Sequence, residues 1–189
     1  RQSAMPLNQF TNQFNFLLAA LSGAERIFDL MEQEPEIGLV SVYSTGSGVA
    51  KAAGNQQDVT INAVNQNYQL LNQLEIESGR YLTAIESEYR LTNCVVGAGV
   101  AQKLFGTKEV LGETIRVNGK DFTIVGILKE EGSTSLNTRD LSVFLPFETG
   151  QRLLGIKGVL TFEASAADEM SVDKAERTLN TFLQGRVGE

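Results

Sequence analysis

The stretch LGETIRVNGKDFTIVGILKEE, from Leu111 to Glu131, constrains the fold more than any other part of the chain. Two runs of alternating apolar and polar residues meet at Asn118-Gly119, a dipeptide that accepts positive φ at both positions and so suits a two-residue type I′ turn. The reading is an antiparallel hairpin, with Ile115 and Val117 on one strand and Phe122, Ile124 and Val125 on or near the other. Such a ribbon needs an interior to cover its apolar face. Tyr68, Leu104, Phe105, Phe122, Ile124 and Leu145 are expected to bury together in one core.

At 189 residues the chain is long enough for one generous domain or two small ones. Its net charge of −7 repels nucleic acid and anionic lipid, and no cluster of Lys or Arg offsets this locally, so a nucleic-acid partner is excluded. There is no histidine, which removes the commonest general base and metal ligand. The single cysteine, Cys94, sits among apolar neighbours and reads as a small buried hydrophobe in a strand. No apolar run reaches the roughly 18 residues of a membrane span. The chain opens on Arg1 and stops at RVGE without a closing element, so it reads as a piece of something larger.

Leu7, Phe10, Phe14, Leu17, Leu21, Ala24, Phe28 and Met31 recur at intervals of three and four, the stripe of a long helix between Pro6 and Pro35. IGLVSVYSTGSGVA then switches to strand-like alternation and runs into a Gly/Ser turn. DVTINAV reads as the next strand, NQNYQLLNQL as a short helix or turn, and ESGRYLT as an exposed loop. TNCVVG is a strand leading into the helix AGVAQKLFG, closed by Gly106. After the hairpin come a strand stopped by Pro146, a short helix, the strand KGVLTFEAS, and a last helix with Ser171 as its N-cap. The layout is α+β, with a β-rich middle region inserted between elements that could share a βαβ-like unit, preceded by the long helix. The expected boundaries are a helix over 1–36, a flanking part over 37–56 and 157–189, and an inserted β-rich part over 57–156.

Three constellations have chemical potential. GAGVAQ, Gly97 to Gln102, follows a strand and opens a helix as phosphate-binding turns do, but it lacks the third glycine of the dinucleotide fingerprint and reads as an ordinary strand-to-helix turn. SGVAK, with Ser47 and Lys51, and STSLNTRD, ending at Arg139 and Asp140, place serine near a cation, the raw material of a Ser-Lys pair. Glu75, Glu77, Glu86 and Glu88 are spaced for paired carboxylates, yet no calcium-loop pattern accompanies them and they read as a solvated face. No catalytic, cofactor-binding or metal-binding residue is therefore assigned.

The segments VNQNYQLLNQLEIESGRYLT, VVGAGVAQKLFG, LGETIRVNGKDFTIVGILKEEG and SVFLPFETGQRLLG lie in the order and spacing of one family. From about Val42 to Thr181 the chain resembles the periplasmic core domain of MacB/FtsX-type ABC transporter permeases. Residues 1–36 separately resemble, through MPLNQFTNQFNFLLAALSGAERIFDLMEQEPE, the last transmembrane helix of the other large class of ABC exporters. The first resemblance implies a non-catalytic domain on the extracytoplasmic side of the cell membrane, in which the flanking part over 37–56 and 157–189 is made of porter-like βαβ elements with an inserted β-rich subdomain over 57–156. It also implies a cytoplasmic ABC ATPase as partner through the permease's transmembrane helices, with a second permease copy and a periplasmic adaptor or outer protein as further candidates. The competing reading is a soluble enzyme with an acidic or Ser-Lys site.

Overall fold

The computed structural model describes residues 13–17, 37–132, 139–155, 159–166 and 173–178. The chain divides into two compact units, one of residues 1–42 and 160–189, the other of Tyr43–Val159.

In the first unit, β1 (Gln13–Leu17) pairs antiparallel with β9 (Val159–Ala166), Gln13 opposite Ser165 and Leu17 opposite Thr161. Over Gln13–Leu17 this replaces the helix expected within 1–36. Phe14 and Phe16 alternate with Gln13 and Asn15, a local period of two, and the available partner strand decides between that period and the wider helical stripe. The remainder of the expected helix, with Pro6 and Pro35, lies outside the described residues. The backbone N–H of Leu39, at the start of β2 (Ile37–Ala52), donates to Ser165 Oγ at 2.9 Å. A helical stretch follows over 173–178, with Ala175 buried; Ser171, its expected cap, lies outside the described residues.

The second unit is a ring of strands. β2 pairs antiparallel with β3 (Asn55–Val64), which pairs in parallel with β8 (Ser142–Pro146). β8 pairs antiparallel with β5 (Asn93–Val96), and β5 in parallel with β7 (Lys120–Leu128). β7 makes the hairpin with β6 (Thr114–Val117), and β6 returns to β2 through Ala50 opposite Val117. Six strands thus close on one another, which removes most unpaired edges. β4 (Ile76–Gly79) extends the far half of β7 beyond the ring.

The hairpin forms as expected. Asn118 (φ 47°) and Gly119 (φ 86°) both occupy the left-handed region, as a type I′ turn requires. Asn118 also binds the turn to β2: its Oδ1 accepts the N–H of Val49 at 2.9 Å, and its own N–H donates to the Val49 carbonyl at 3.0 Å. Gly48 makes room for this, because a Cβ there would lie 2.6 Å from Asn118 Oδ1. The expected Gly/Ser turn after Val42 is accordingly an unbroken strand. Its glycines serve close approach, and the chain reverses later, at Ala53 and Gly54.

Alternation fills the ring. Ile61, Cys94, Ile115, Val117, Phe122, Ile124, Val143 and Leu145 point inward and pack with Val100, Ala101 and Leu104 of α3 (Ala98–Phe105). The β5–β7 register shifts between Cys94 and Val95, which leaves Val125 as an extra residue and brings Ile127 back to the inner side. Leu104, Phe122, Ile124 and Leu145 share this core as expected, and Phe105 packs against it while only partly buried. Tyr68 does not. It opens the short helix α1 (Tyr68–Leu71) and packs on the outer side with Val64, Leu74, Tyr81, Leu82 and Phe144. The expected exposed loop ESGRYLT is likewise corrected, since it supplies β4 and the buried residues Tyr81 and Leu82 to this outer cluster.

Candidate functional site

The outer side of β2, β3 and β8 carries an open groove of about 570 Å³. Its floor follows from alternation: with Ile61 and Val143 turned inward, Thr60, Asn62 and Ser142 face out, joined by Thr45 and Ser47 of β2. Asn62 is only 7 % exposed, and its Oδ1 accepts the Thr45 hydroxyl at 3.2 Å. One wall is aromatic. The Tyr68 ring stands edge-on to Tyr43 at 5.0 Å and tilted against Phe144 at 6.0 Å, so its orientation is fixed from two sides.

Arg139 forms the other wall, and its guanidinium pairs with Glu131 at 3.1 Å. The neighbouring Asp140 is buried, and its two carboxylate oxygens accept the backbone N–H groups of Glu131 at 3.0 Å and Gly132 at 3.2 Å. These bonds fasten the segment that follows β7 to the 3-10 turn Arg139–Leu141 that precedes β8.

The four glutamates separate. Glu75 pairs with Lys129 at 2.9 Å on the surface, and Glu77 and Glu88 are exposed. Glu86 departs from the expected solvated face: its side chain is 3 % exposed. It lies in α2 (Ala84–Glu88), where the Thr83 hydroxyl and N–H both donate to Oε2, the latter at 2.7 Å, in a capping box. Arg80 lies 2.6 Å from Oε1 and Asn93 donates to the same oxygen at 3.3 Å. Burial alone raises a carboxyl pKa; the hydrogen bonds from Thr83, Arg80 and Asn93 outweigh it and bring Glu86 down to about 2.

The folded pKa is depressed, so the associated stability is fully present above the ordinary value of 4.5 and is lost as pH falls towards 2. Glu86→Gln is expected to cost about 2 kcal/mol at neutral pH, a figure reduced because Arg80 is half-exposed. Denaturant titrations of both proteins from pH 7 to pH 2 should show the gap between them closing below pH 4.5. A gap independent of pH would contradict the assignment.

Ser47 and Lys51 are both exposed and lie four residues apart along β2, about 13 Å at strand rise, so they do not form a nucleophile pair. Residues 133–138 of STSLNTRD lie outside the described residues. GAGVAQ is a packing device: a Cβ on Gly97 would lie 2.1 Å from the Arg139 carbonyl oxygen, and one on Gly99 2.7 Å from that of Asp140. The N-terminus of α3 therefore faces the protein's own backbone. Among the described residues, no three His, Cys, Asp or Glu side chains gather as a metal site, and no helix is long and apolar enough to cross a membrane. Burial drives the Cys94 thiol pKa upward, which makes it a packing residue rather than a nucleophile.

Two signals for these arrangements are present in the sequence. TAIE, Thr83 to Glu86, has capping-box spacing, and the alternation in DVTINAV separates Thr60 and Asn62 from Val59, Ile61 and Ala63. Nothing local marks Tyr68 or Arg139, which reach the groove only through the closure of the ring.

The MacB-like periplasmic core domain family matches residues 7–182, and so takes in most of residues 1–36 as well. The macrolide export ATP-binding/permease protein MacB of Bdellovibrio bacteriovorus is 26% identical over 148 residues, 78% of this chain and 23% of that protein. The ABC transporter permease YknZ of Bacillus subtilis is 30% identical over 140 residues, 70% of this chain and 34% of that protein. The chain thus spans between 23% and 34% of the length of these relatives. In fold it is similar to the periplasmic region of MacB from Actinobacillus actinomycetemcomitans, with TM-score 0.79 at 15% identity over 97% of this chain and 88% of that one. It is also similar to the extracellular domain of YknZ, with TM-score 0.72 at 19% identity over 92% and 95% of the two chains.

Proposed function

Because the chain belongs to the MacB-like periplasmic core domain family, we propose that it is the extracytoplasmic, non-catalytic domain of an ABC transporter permease. In this reading it couples ATP hydrolysis by a separate cytoplasmic ATPase to export or to mechanical signalling across the membrane. The family match over residues 7–182 is the observation that carries the reading. Its homologues are MacB and YknZ permeases. The sequence contributes independent support, since it has no histidine and no GxxxxGK[ST] loop to hold phosphates. The first unit is the porter-like part in this proposal, and the ring of strands is the inserted part. The ATPase acts through flanking transmembrane helices, and a second permease copy and a periplasmic adaptor are further partners.

Sidedness tests the reading in the intact gene product. Gln56, exposed next to the β2–β3 turn, is replaced by cysteine, and spheroplasts are treated with a membrane-impermeant maleimide. The expected result is prompt labelling of Gln56→Cys, while Cys94, buried in the ring, stays unlabelled until denaturation. Labelling of Gln56→Cys only after membrane lysis would place the domain in the cytoplasm and end the proposal.

A further inference from the structure

The groove on β2, β3 and β8 has a chemical character that the transport reading does not use. Its floor is built from neutral groups that both donate and accept, the hydroxyls of Thr45, Ser47 and Thr60 and the amide of Asn62. Asn62 is more than nine-tenths buried. Its oxygen is engaged by Thr45, and the side chain lines the groove, where the amide nitrogen is open to water or a ligand. A donor on a largely buried residue is held in place before a ligand arrives, so a ligand that accepts from it meets a preorganised partner.

We propose that this groove binds a neutral polyhydroxylated ligand, a sugar or the glycosyl part of a larger molecule. Each competing ligand class fails on a particular feature. Among the described residues of the lining a cation meets no carboxylate, and an anion meets only the Arg139 guanidinium, already paired with Glu131. An apolar compound would displace water from the Asn62 amide and its neighbouring hydroxyls without replacing the hydrogen bonds. An extended peptide cannot add as a strand, because both edges of β3 are taken by β2 and β8. Sugar hydroxyls donate and accept as the floor does, and the apolar face of a pyranose packs on an oriented aromatic ring such as Tyr68. A volume of about 570 Å³ suits a ligand of one or two rings. This site stands or falls independently of the transport role.

The test is a titration of the isotope-labelled 189-residue chain with cellobiose and with N,N′-diacetylchitobiose, followed by backbone amide shifts. At least one disaccharide is expected to give saturable shifts at Thr60, Asn62 and Ser142, with a Kd of about 1 mM. Thr60→Val, which keeps the shape and strand preference of the residue, and Asn62→Leu should each weaken binding about tenfold with spectra elsewhere unchanged. Should Asn62→Leu disturb the fold, Thr60→Val alone decides. Absence of saturable shifts with both sugars, undiminished binding in Thr60→Val, or tighter binding of inorganic phosphate or trialanine at the same amides would overturn the proposal.

Discussion

Phe122→Ala is expected to destabilise the second unit by about 4 kcal/mol, the upper range for removing a buried aromatic ring. Phe122 is 1 % exposed and lies inside the ring with Ile115, its partner across the hairpin, and with Ile124 two residues on. The strands around it close through β6 back to β2, so they cannot draw together to fill the space without breaking ladder bonds elsewhere. The loss should therefore combine the transfer term with nearly the whole cavity term. Reversible denaturation should show it as a fall in melting temperature of about 12 °C. Phe105→Ala, at a site only partly buried, is the comparison, and its cost should be markedly smaller. Equal costs would mean that the ring interior is not the core.

Gly97→Ala is expected to cost about 3 kcal/mol although its backbone conformation, φ −70° and ψ 156°, suits any residue. The obstacle is contact. The added methyl would lie 2.1 Å from the Arg139 oxygen and 2.5 Å from that of Asp140, both backbone atoms that no rotamer change can move aside. Relief requires the 3-10 turn to shift, which strains the bond from the Gly97 N–H to the Ser142 carbonyl at 2.9 Å and the Asp140 carboxylate's hold on Glu131 and Gly132. Gly106→Ala separates the two reasons for a glycine. It has φ 73° and open space around it, so alanine there pays only the left-handed backbone term of about 1 kcal/mol. Chemical denaturation of the two variants side by side should rank Gly97→Ala well above Gly106→Ala, and the reverse order would refute the close-packing account of GAGVAQ.

The parts of this fold that are readable in the sequence are those whose cause is local. Asn118-Gly119 carries its own turn chemistry, Gly106 its own helix stop, and the alternation through Ile115 to Ile124 its own inner face. The failures have non-local causes. Phe14 and Leu17 fit a helical stripe, yet Gln13–Leu17 is a strand because β9, more than 140 residues away, offers a partner. Gly46 to Gly48 look like a turn but are strand positions where Leu154 and Asn118 press on the backbone. Tyr68 reads as sharing one core with Leu104 and Phe122 but packs in the outer cluster, because both faces of the sheet carry apolar residues and the sequence does not distinguish one cluster from the other. Glu86 is the exception: it reads as part of a solvated face, although TAIE carries the local spacing that buries it. In the groove, the alternation of Thr60 and Asn62 is legible, whereas the convergence of Tyr68 and Arg139 on them depends on the parallel pairing of β3 with β8.

The most direct measurement is made on the intact permease with its ATPase, reconstituted with and without the segment corresponding to residues 7–182 replaced by a short flexible linker. Transport and ATP hydrolysis are followed in the same vesicles. A domain that transmits the work of a separate ATPase, and holds no nucleotide itself, should on deletion abolish transport while leaving ATP binding intact and hydrolysis running. Transport at the normal rate without the domain would contradict the proposed coupling role outright.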